Sequence, residues 1–181
     1  MKLIDKYLPY WDFAKVNKIR LNHKDIPDLS MMTQVDFGKS RIFRALFFLR
    51  GLPTKNINIG NALLAGFILL EQNNKEIVLG LIAQPLKLKG NIRNANPDGF
   101  IRFDESDYIK AAWNFLFEKE QEDLYLTTET RIHCTSSNAK KKFSIYWSII
   151  GFFSGVIRNE MLKIIKNELG KRNYVSRSGG Q

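Results

Sequence analysis

The chain has 181 residues, of which 44% are hydrophobic and 25% are charged, a composition typical of one globular domain. These values exclude collagen-like, low-complexity and wholly disordered chains. The single cysteine excludes a disulfide scaffold and a multi-cysteine zinc site. Because the formal net charge is +10, binding to nucleic acid or to an anionic membrane has to be judged from where that charge lies.

Positive charge is concentrated at the C-terminal end. From Lys140 onward there are nine basic residues and two acidic ones, whereas residues 98–129 contain nine acidic residues and three basic ones. A solvated basic helix surface is one explanation, and a surface for phosphate or lipid headgroups is the other. The basic residues do not alternate with aromatic residues as in base-stacking surfaces, which argues against nucleic acid.

The sequence predicts a cytoplasmic protein. Residues 1–6 lack the apolar stretch of a secretory signal, and the low cysteine content fits a reducing compartment. The uncharged segment 143–157 contains three serines and is shorter than the roughly 20 apolar residues of a membrane-spanning helix. It therefore predicts a buried amphipathic helix, with a helix lying in the membrane interface as the alternative.

The first predicted element is a strand over residues 12–22, where apolar and polar residues alternate. Two acids around a proline at residues 25–28 indicate a helix start. Helical spacing of apolar residues predicts a second helix over residues 36–50, ended by Gly51.

Residues 66–72 and 75–84 predict a hairpin around Asn73 and Asn74, because these residues tolerate a tight turn. The simplest register places Leu70 opposite Ile77 and Glu71 opposite Glu76. Two facing carboxylates repel each other. The pair is interpreted either as a general acid/base site or as an inert exposed pair beside the turn.

Residues 109–119 and 122–134 give the clearest hairpin pattern, with a turn at Glu120 and Gln121. In this register Trp113 lies opposite Thr128 and Phe115 opposite Leu126 on one apolar face. Thr130 lies on the same face. Buried hydroxyls need hydrogen-bond partners, so both threonines either bond within the sheet or offer polar groups to a ligand.

The opposite face of this hairpin contains Lys110, Glu129 and Arg131, and it is predicted to be an exposed ladder of charges. His133 and Cys134 are adjacent in the strand and must point to opposite faces, so they cannot form a catalytic pair or bind one metal together.

Residues 138–171 predict a long C-terminal helix, capped by Ser136 or Ser137. Its predicted buried stripe has three-four spacing; the stripe contains Phe143, Trp147, Ile150, Ser154, Ile157, Met161, Ile164 and Glu168. Residues 176–181 are predicted to be a disordered tail, which leaves a single domain over residues 1–175.

Motifs of known chemistry are missing from the sequence. Gly38-Lys39-Ser40 resembles the end of a phosphate-binding loop, but Thr33 occupies the position where that loop needs glycine. The sequence therefore predicts no cofactor and no metal, and it favours binding over catalysis.

The order of elements resembles the helix-grip fold of the START, polyketide-cyclase and birch-pollen-allergen superfamily (SRPBCC). More specific is the run from Thr128 to Ile132 (TETRI), followed by Phe143, Tyr146-Trp147, Ser154 and Ile157-Arg158. These residues are similar to the motifs of an uncharacterised bacterial family within that superfamily. The resemblance implies an α+β fold, in which a curved antiparallel sheet wraps a long C-terminal helix and two short helices follow the first strand.

In helix-grip proteins a cavity separates the sheet from the long helix. The apolar sheet face and the missing catalytic motifs favour a protein that binds a small hydrophobic molecule in this cavity. The resemblance implies that the lining would be Trp113, Phe115, Thr128, Thr130, Tyr146, Trp147 and Ile150. One alternative is a cyclase- or dehydratase-like enzyme with Glu76 or Tyr146 as acid/base group. Another is a peripheral protein that binds anionic membrane through lysines 140–142, 163, 166 and 171. The pattern assigns neither a ligand identity nor an oligomeric state.

Overall fold

The computed structural model describes residues 1–22, 26–27, 29, 32, 35–40, 44, 58, 60, 63, 66–85 and 91–178, with the backbone alone at residues 39, 149–154 and 171–178. The elements in chain order are α1 (Leu3–Tyr7), β1 (Phe13–Arg20), a 3-10 turn (Phe37–Lys39), β2 (Ile68–Gln72), β3 (Glu76–Ala83), α2 (Pro97–Arg102), β4 (Ile109–Glu120), β5 (Asp123–Cys134) and α3 (Ser137–Ser178). The predicted α+β class is confirmed.

One open antiparallel sheet has the strand order β1-β5-β4-β3-β2. Side chains alternate between its two faces. The face that packs against α3 is called the α3 face, and the face covered by α1 and α2 is called the α1 face. Within the described residues, no helix combines the length and the apolar character needed to cross a bilayer.

The β4–β5 hairpin has the predicted faces but not the predicted pairs. Trp113 pairs with Thr130 and Phe115 pairs with Thr128. The turn lies one residue later than predicted because Gln121 adopts a positive φ of 54°, as tight hairpin turns require. The resulting shift of two residues is even, so every side chain stays on its predicted face.

The predicted register of the β2–β3 hairpin is wrong, and Glu71 does not face Glu76. A bulge at Leu70 shifts the pairing, so that Glu71 lies opposite Val78. The Leu70 side chain is buried and lies against Gly80, where an added Cβ would meet it at 3.0 Å. Since the two carboxylates are not partners, the acid/base pair is excluded.

The first predicted strand is confirmed as Phe13–Arg20. The helix start predicted at 25–28 and most of the helix predicted over 36–50 lie outside the described residues. The described part of that second helix comprises the 3-10 turn, where the Asp36 side chain accepts a hydrogen bond from the Gly38 amide at 2.8 Å, and the helical residue Arg44, whose amide donates to the Ser40 carbonyl at 3.0 Å.

Helix α3 begins beside Ser136, whose hydroxyl accepts a hydrogen bond from the Ala139 amide at 3.1 Å. Its buried line differs in part from the predicted stripe; it contains Phe143, Gly155, Arg158, Met161, Leu162, Ile165 and Leu169. Ile157, Ile164 and Glu168 are half-buried beside this line. The helix extends to Ser178, into the segment predicted as a tail, and the domain boundary at residue 175 stays a prediction.

Helix α1, which the sequence pattern did not predict, is capped by a buried carboxylate from the sheet. Glu76 is 2% exposed and accepts hydrogen bonds from the Leu3 amide at 2.6 Å and the Ile4 amide at 3.3 Å. It also accepts one from the Asn114 side chain at 2.6 Å. A carboxylate at a helix N-terminus satisfies amides that have no partner within the helix.

The predicted exposed ladder of charges is wrong, because α1 covers it. Glu129 and Arg131 are each 5% exposed. Arg131 donates to Glu129 at 2.6 Å and to Asp5 of α1 at 2.7 Å. Burial alone would lower the pKa of Arg131, but these hydrogen bonds outweigh it and raise the pKa. Lys110 is also buried and donates to the Ile101 carbonyl at 2.8 Å.

Replacing the buried carboxylate should destabilise the fold. In Glu76→Gln an amide N–H replaces one acceptor and faces donors, so we expect a loss of about 2 kcal/mol in the free energy of unfolding. The matched control is Glu71→Gln, since Glu71 also binds α1, through Lys6 and the Tyr7 hydroxyl, but from the surface. Urea unfolding of both variants measures the difference. Equal losses would contradict the assigned role of Glu76.

Candidate functional site

Two apolar clusters occupy opposite ends of the α3 face. The turn-end cluster lies near the β4–β5 turn and joins sheet to helix; it includes Phe115, Phe117, Leu124, Leu126, Met161, Leu162, Ile165 and Leu169. The cap-end cluster lies under the first turns of α3; it comprises Ile109, Ile132, Cys134, Ala139 and Phe143. Residues in both clusters are fully buried, so each end of this interface is closed.

Between the clusters the α3 face is not fully covered. Seven residues there are only half-buried, and they define the open belt: Leu81, Ala111, Trp113, Thr130, Tyr146, Trp147 and Ile157. The belt is continuous across the sheet, because Leu81 pairs with Ala111 and Trp113 pairs with Thr130. Apolar side chains with accessible surface inside an interface are typical of a small-molecule site.

The predicted lining residues fall into three groups. Trp113, Thr130, Tyr146 and Trp147 lie in the open belt. Phe115 and Thr128 lie on the same face of the sheet but are 0% exposed, so they support the belt from beneath. The side chain of Ile150 lies outside the described residues.

The hydroxyl of Thr128 bonds within the sheet. It accepts a hydrogen bond from the Trp113 indole nitrogen at 2.7 Å and donates one to the Asn114 carbonyl at 2.7 Å. Of the two interpretations of that threonine, this favours bonding within the sheet, since its O–H donor and one acceptor lone pair are both used there. The same contact fixes the orientation of the Trp113 ring, which also packs against Phe115 with ring centroids 4.8 Å apart.

Thr130 bonds to a buried arginine that the sequence pattern did not place in the interface. Its hydroxyl accepts a hydrogen bond from Nε of Arg158 at 3.2 Å, and Arg158 is 6% exposed. The sequence does indicate that residue 158 lies on the buried face of the helix, because it precedes Met161, Leu162 and Ile165 by three, four and seven residues. The predicted buried stripe nevertheless omits Arg158.

The aromatic residues of α3 close the cap end of the belt. Trp147 lies 5.9 Å from Phe13 and 5.7 Å from Phe143, measured between ring centroids, and Tyr146 lies 5.5 Å from Phe143. These tilted contacts stabilise the rings without covering them. Both Tyr146 and Trp147 therefore keep surface that a ligand can contact.

Glu76 does not belong to this site. It lies on the α1 face, and its carboxylate binds α1 and Asn114. A cavity of about 410 Å³ opens beside it, with lysines 2, 75 and 119 in its wall, and its lining contains none of the open-belt residues. The acid/base role suggested for Glu76 in a cavity under α3 is thus wrong.

His133 and Cys134 point to opposite faces, as predicted. Cys134 belongs to the cap-end cluster, whereas His133 lies 3.5 Å from the Asp12 carboxylate on the other side of the strand. In the part of the chain that the structure describes, no cluster of His, Cys, Asp and Glu could hold a metal ion.

The Cys134 thiol should be unreactive in the native protein. Burial, with a smaller effect of the Asp12 carboxylate, raises its pKa to about 12, which suppresses the reactive thiolate at pH 8. We expect alkylation by iodoacetamide to be roughly a hundredfold slower in native protein than in urea. Mass spectrometry reads a single site, because the chain has one cysteine. Equal rates in both states would contradict this assignment.

Comparison with known proteins leaves the family open. No family model matches the chain, and no curated protein matches it. The resemblance to the SRPBCC superfamily therefore stays a prediction from the residues that suggested it.

Proposed function

We propose that this protein binds a small apolar molecule in the open belt, within a helix-grip fold whose sheet and C-terminal helix enclose the ligand. The observation that supports this is the half-exposure of seven neighbouring residues between two closed clusters. A packed core has no reason to leave an indole and two further aromatic rings accessible at its centre. The cytoplasmic location stays a prediction.

The composition of the belt fits an apolar ligand with one polar end. Five of its seven residues are aliphatic or tryptophan, while Thr130 and the Tyr146 hydroxyl add polar groups. Such a mixture, mostly apolar with few directed polar atoms, is typical of small-molecule sites. Trp113 supplies the largest flat surface, and its bond to Thr128 holds that surface in place before a ligand arrives.

The enzyme alternative is weaker than the sequence suggested. It needs a group in the belt that can donate or accept a proton. Of the two candidates, Glu76 lies on the other face of the sheet and Tyr146 remains. A tyrosine alone supports ligand binding as well as it supports catalysis, so we propose binding.

Removing the indole from the belt should weaken ligand binding. We expect Trp113→Ala to lower the affinity for the neutral dye Nile red about tenfold, because the dye loses apolar contact area. Tyr146→Ala should act in the same direction with a smaller effect. The dissociation constants follow from the rise in dye fluorescence.

The matched control is Trp11→Ala, since Trp11 is 46% exposed but lies on the α1 face against Arg131. It should bind the dye like the unchanged protein. Circular dichroism confirms that each variant is folded. Unchanged dye affinity in folded Trp113→Ala, or an equal loss in Trp11→Ala, would contradict the proposed site.

A second candidate function, docking on an anionic membrane, is favoured by the solvent-exposed stripe of α3. At three-four spacing this stripe presents Lys141, Ile145, Val156 and Lys163. Ile145 is 61% exposed and Val156 is 37% exposed. Apolar side chains flanked by lysines are the pattern of a helix that lies on anionic lipid.

Ile145→Glu tests this membrane surface. If the stripe docks on lipid, the variant should lose at least about two-thirds of its sedimentation with vesicles of phosphatidylcholine and phosphatidylserine at low salt, since it replaces an inserted side chain by a negative charge. Ile101→Glu is the control, because Ile101 is 41% exposed on α2, on the other side of the sheet. No sedimentation of the unchanged protein, or equal loss in both variants, would exclude membrane docking by this stripe.

A further inference from the structure

We propose that the ligand of the open belt carries an uncharged carbonyl oxygen, and that the Thr130 hydroxyl donates a hydrogen bond to this oxygen. The inference rests on the proposed function, because it specifies the chemistry of the same ligand. It names a ligand class: apolar molecules with one ketone, ester or amide group. It also makes Thr130 the residue that selects such molecules over plain hydrocarbons.

Within the described residues, the Thr130 hydroxyl is used as an acceptor but not as a donor. Its oxygen accepts a hydrogen bond from Nε of Arg158 at 3.2 Å. No group in the described part of the chain accepts a hydrogen bond from its O–H. A threonine hydroxyl donates one hydrogen bond in addition to those that it accepts. The O–H of Thr130 can therefore be given to a ligand.

Thr128, two residues earlier on the same face, shows the contrast. Its hydroxyl accepts from the Trp113 indole and donates to the Asn114 carbonyl, each at 2.7 Å. Thr128 is 0% exposed, whereas Thr130 is half-buried and pairs with Trp113 across the sheet. The first threonine is thus part of the sheet's own hydrogen bonding, and the second presents its donor beside the largest flat surface of the belt.

A ligand that fills the belt changes the surroundings of this donor. While Thr130 is half-exposed, solvent can accept its O–H. An apolar ligand displaces that solvent, and a donor left without an acceptor in an apolar site is unfavourable. A carbonyl oxygen at the same place restores the hydrogen bond. The belt should therefore favour a ligand with such an oxygen over a hydrocarbon of the same shape.

The hydrogen bond from Arg158 makes the Thr130 hydroxyl a stronger donor. Arg158 is 6% exposed, so this bond lies largely away from water. A hydroxyl that accepts a hydrogen bond from a charged group is polarised, and successive hydrogen bonds reinforce one another where the dielectric constant is low. The chain from the guanidinium through the hydroxyl to the ligand oxygen would be of this kind.

Three naphthalene probes of similar shape test the proposal: acetylnaphthalene, isopropenylnaphthalene and naphthoate. The first two differ only in a C=CH₂ group that replaces C=O. Thr130→Val should lower the affinity for acetylnaphthalene about fivefold, because one hydrogen bond is lost, and it should not weaken the binding of isopropenylnaphthalene. Naphthoate should bind less tightly than the ketone, since one hydroxyl does not compensate a carboxylate for its lost hydration. Equilibrium dialysis gives the dissociation constants.

Two variants are matched controls. Thr130→Ser keeps the hydroxyl and should keep the preference for the ketone. Thr127→Val also removes a threonine hydroxyl from β5, but this hydroxyl lies on the α1 face, where it donates to Glu118 at 3.0 Å. It should change neither affinity. Circular dichroism confirms that each variant is folded.

The outcomes separate this inference from the function on which it rests. If none of the three probes binds, the proposed function falls and the role of Thr130 falls with it. If ketone and hydrocarbon bind and Thr130→Val weakens both equally or neither, the role of Thr130 is overturned while the apolar site stands. Tighter binding of naphthoate than of the ketone would overturn the assignment of an uncharged group.

A spectroscopic measurement decides if Thr130→Val does not fold, since that variant leaves Nε of Arg158 without the Thr130 oxygen. The infrared C=O stretch of acetylnaphthalene bound to the unchanged protein should lie at a lower frequency than in a hydrocarbon solvent, because a hydrogen bond weakens the C=O bond. A band at the hydrocarbon frequency would overturn the proposal.

Discussion

The structure depends on a chain of hydrogen bonds that crosses the sheet from one face to the other. On the α3 face Trp113 donates to Thr128, which donates to the Asn114 carbonyl. On the α1 face the Asn114 side chain donates to Glu76, which caps α1 through the Leu3 amide. Because the Thr128, Asn114 and Glu76 side chains are buried, breaking one of these bonds leaves polar atoms unsatisfied in the interior. Through these bonds, groups on the α1 face help to hold the Trp113 indole in place on the α3 face.

Buried charged side chains have different hydrogen-bond partners on the two faces of the sheet. On the α1 face Arg131 lies between the carboxylates of Glu129 and Asp5, and it stacks on Trp11 at 4.1 Å. These three charges neutralise one another within the protein and join α1 to the sheet. On the α3 face the hydrogen bond from Arg158 goes to the neutral hydroxyl of Thr130. The first arrangement is typical of a structural network, and the second ties α3 to the sheet through a hydroxyl.

The faces of the strands could be predicted from the sequence, whereas their pairs could not. Alternation fixes which side chains share a face, and the β4–β5 shift of two residues preserved that alternation. The pairs depend on the turn, and neither the positive φ of Gln121 nor the bulge at Leu70 has a strong sequence signal. Helix α1 was missed because five residues are too short to form a helix alone. Its cap comes from Glu76, which is distant in sequence.

These errors bear directly on the candidate site. Because α1 was not predicted, Glu76, Glu129 and Arg131 were expected to be exposed. Glu76 was also named as a candidate acid for a cavity under α3, although the sheet separates it from α3. Arg158 was left out of the predicted buried stripe, although its spacing from Met161 and Ile165 places it on the buried line of α3. A charged residue at a buried position of a helix needs a counterpart. Where the sequence pattern and the residue type disagree, as they do at Arg158, the pattern predicts the burial correctly and the residue type does not.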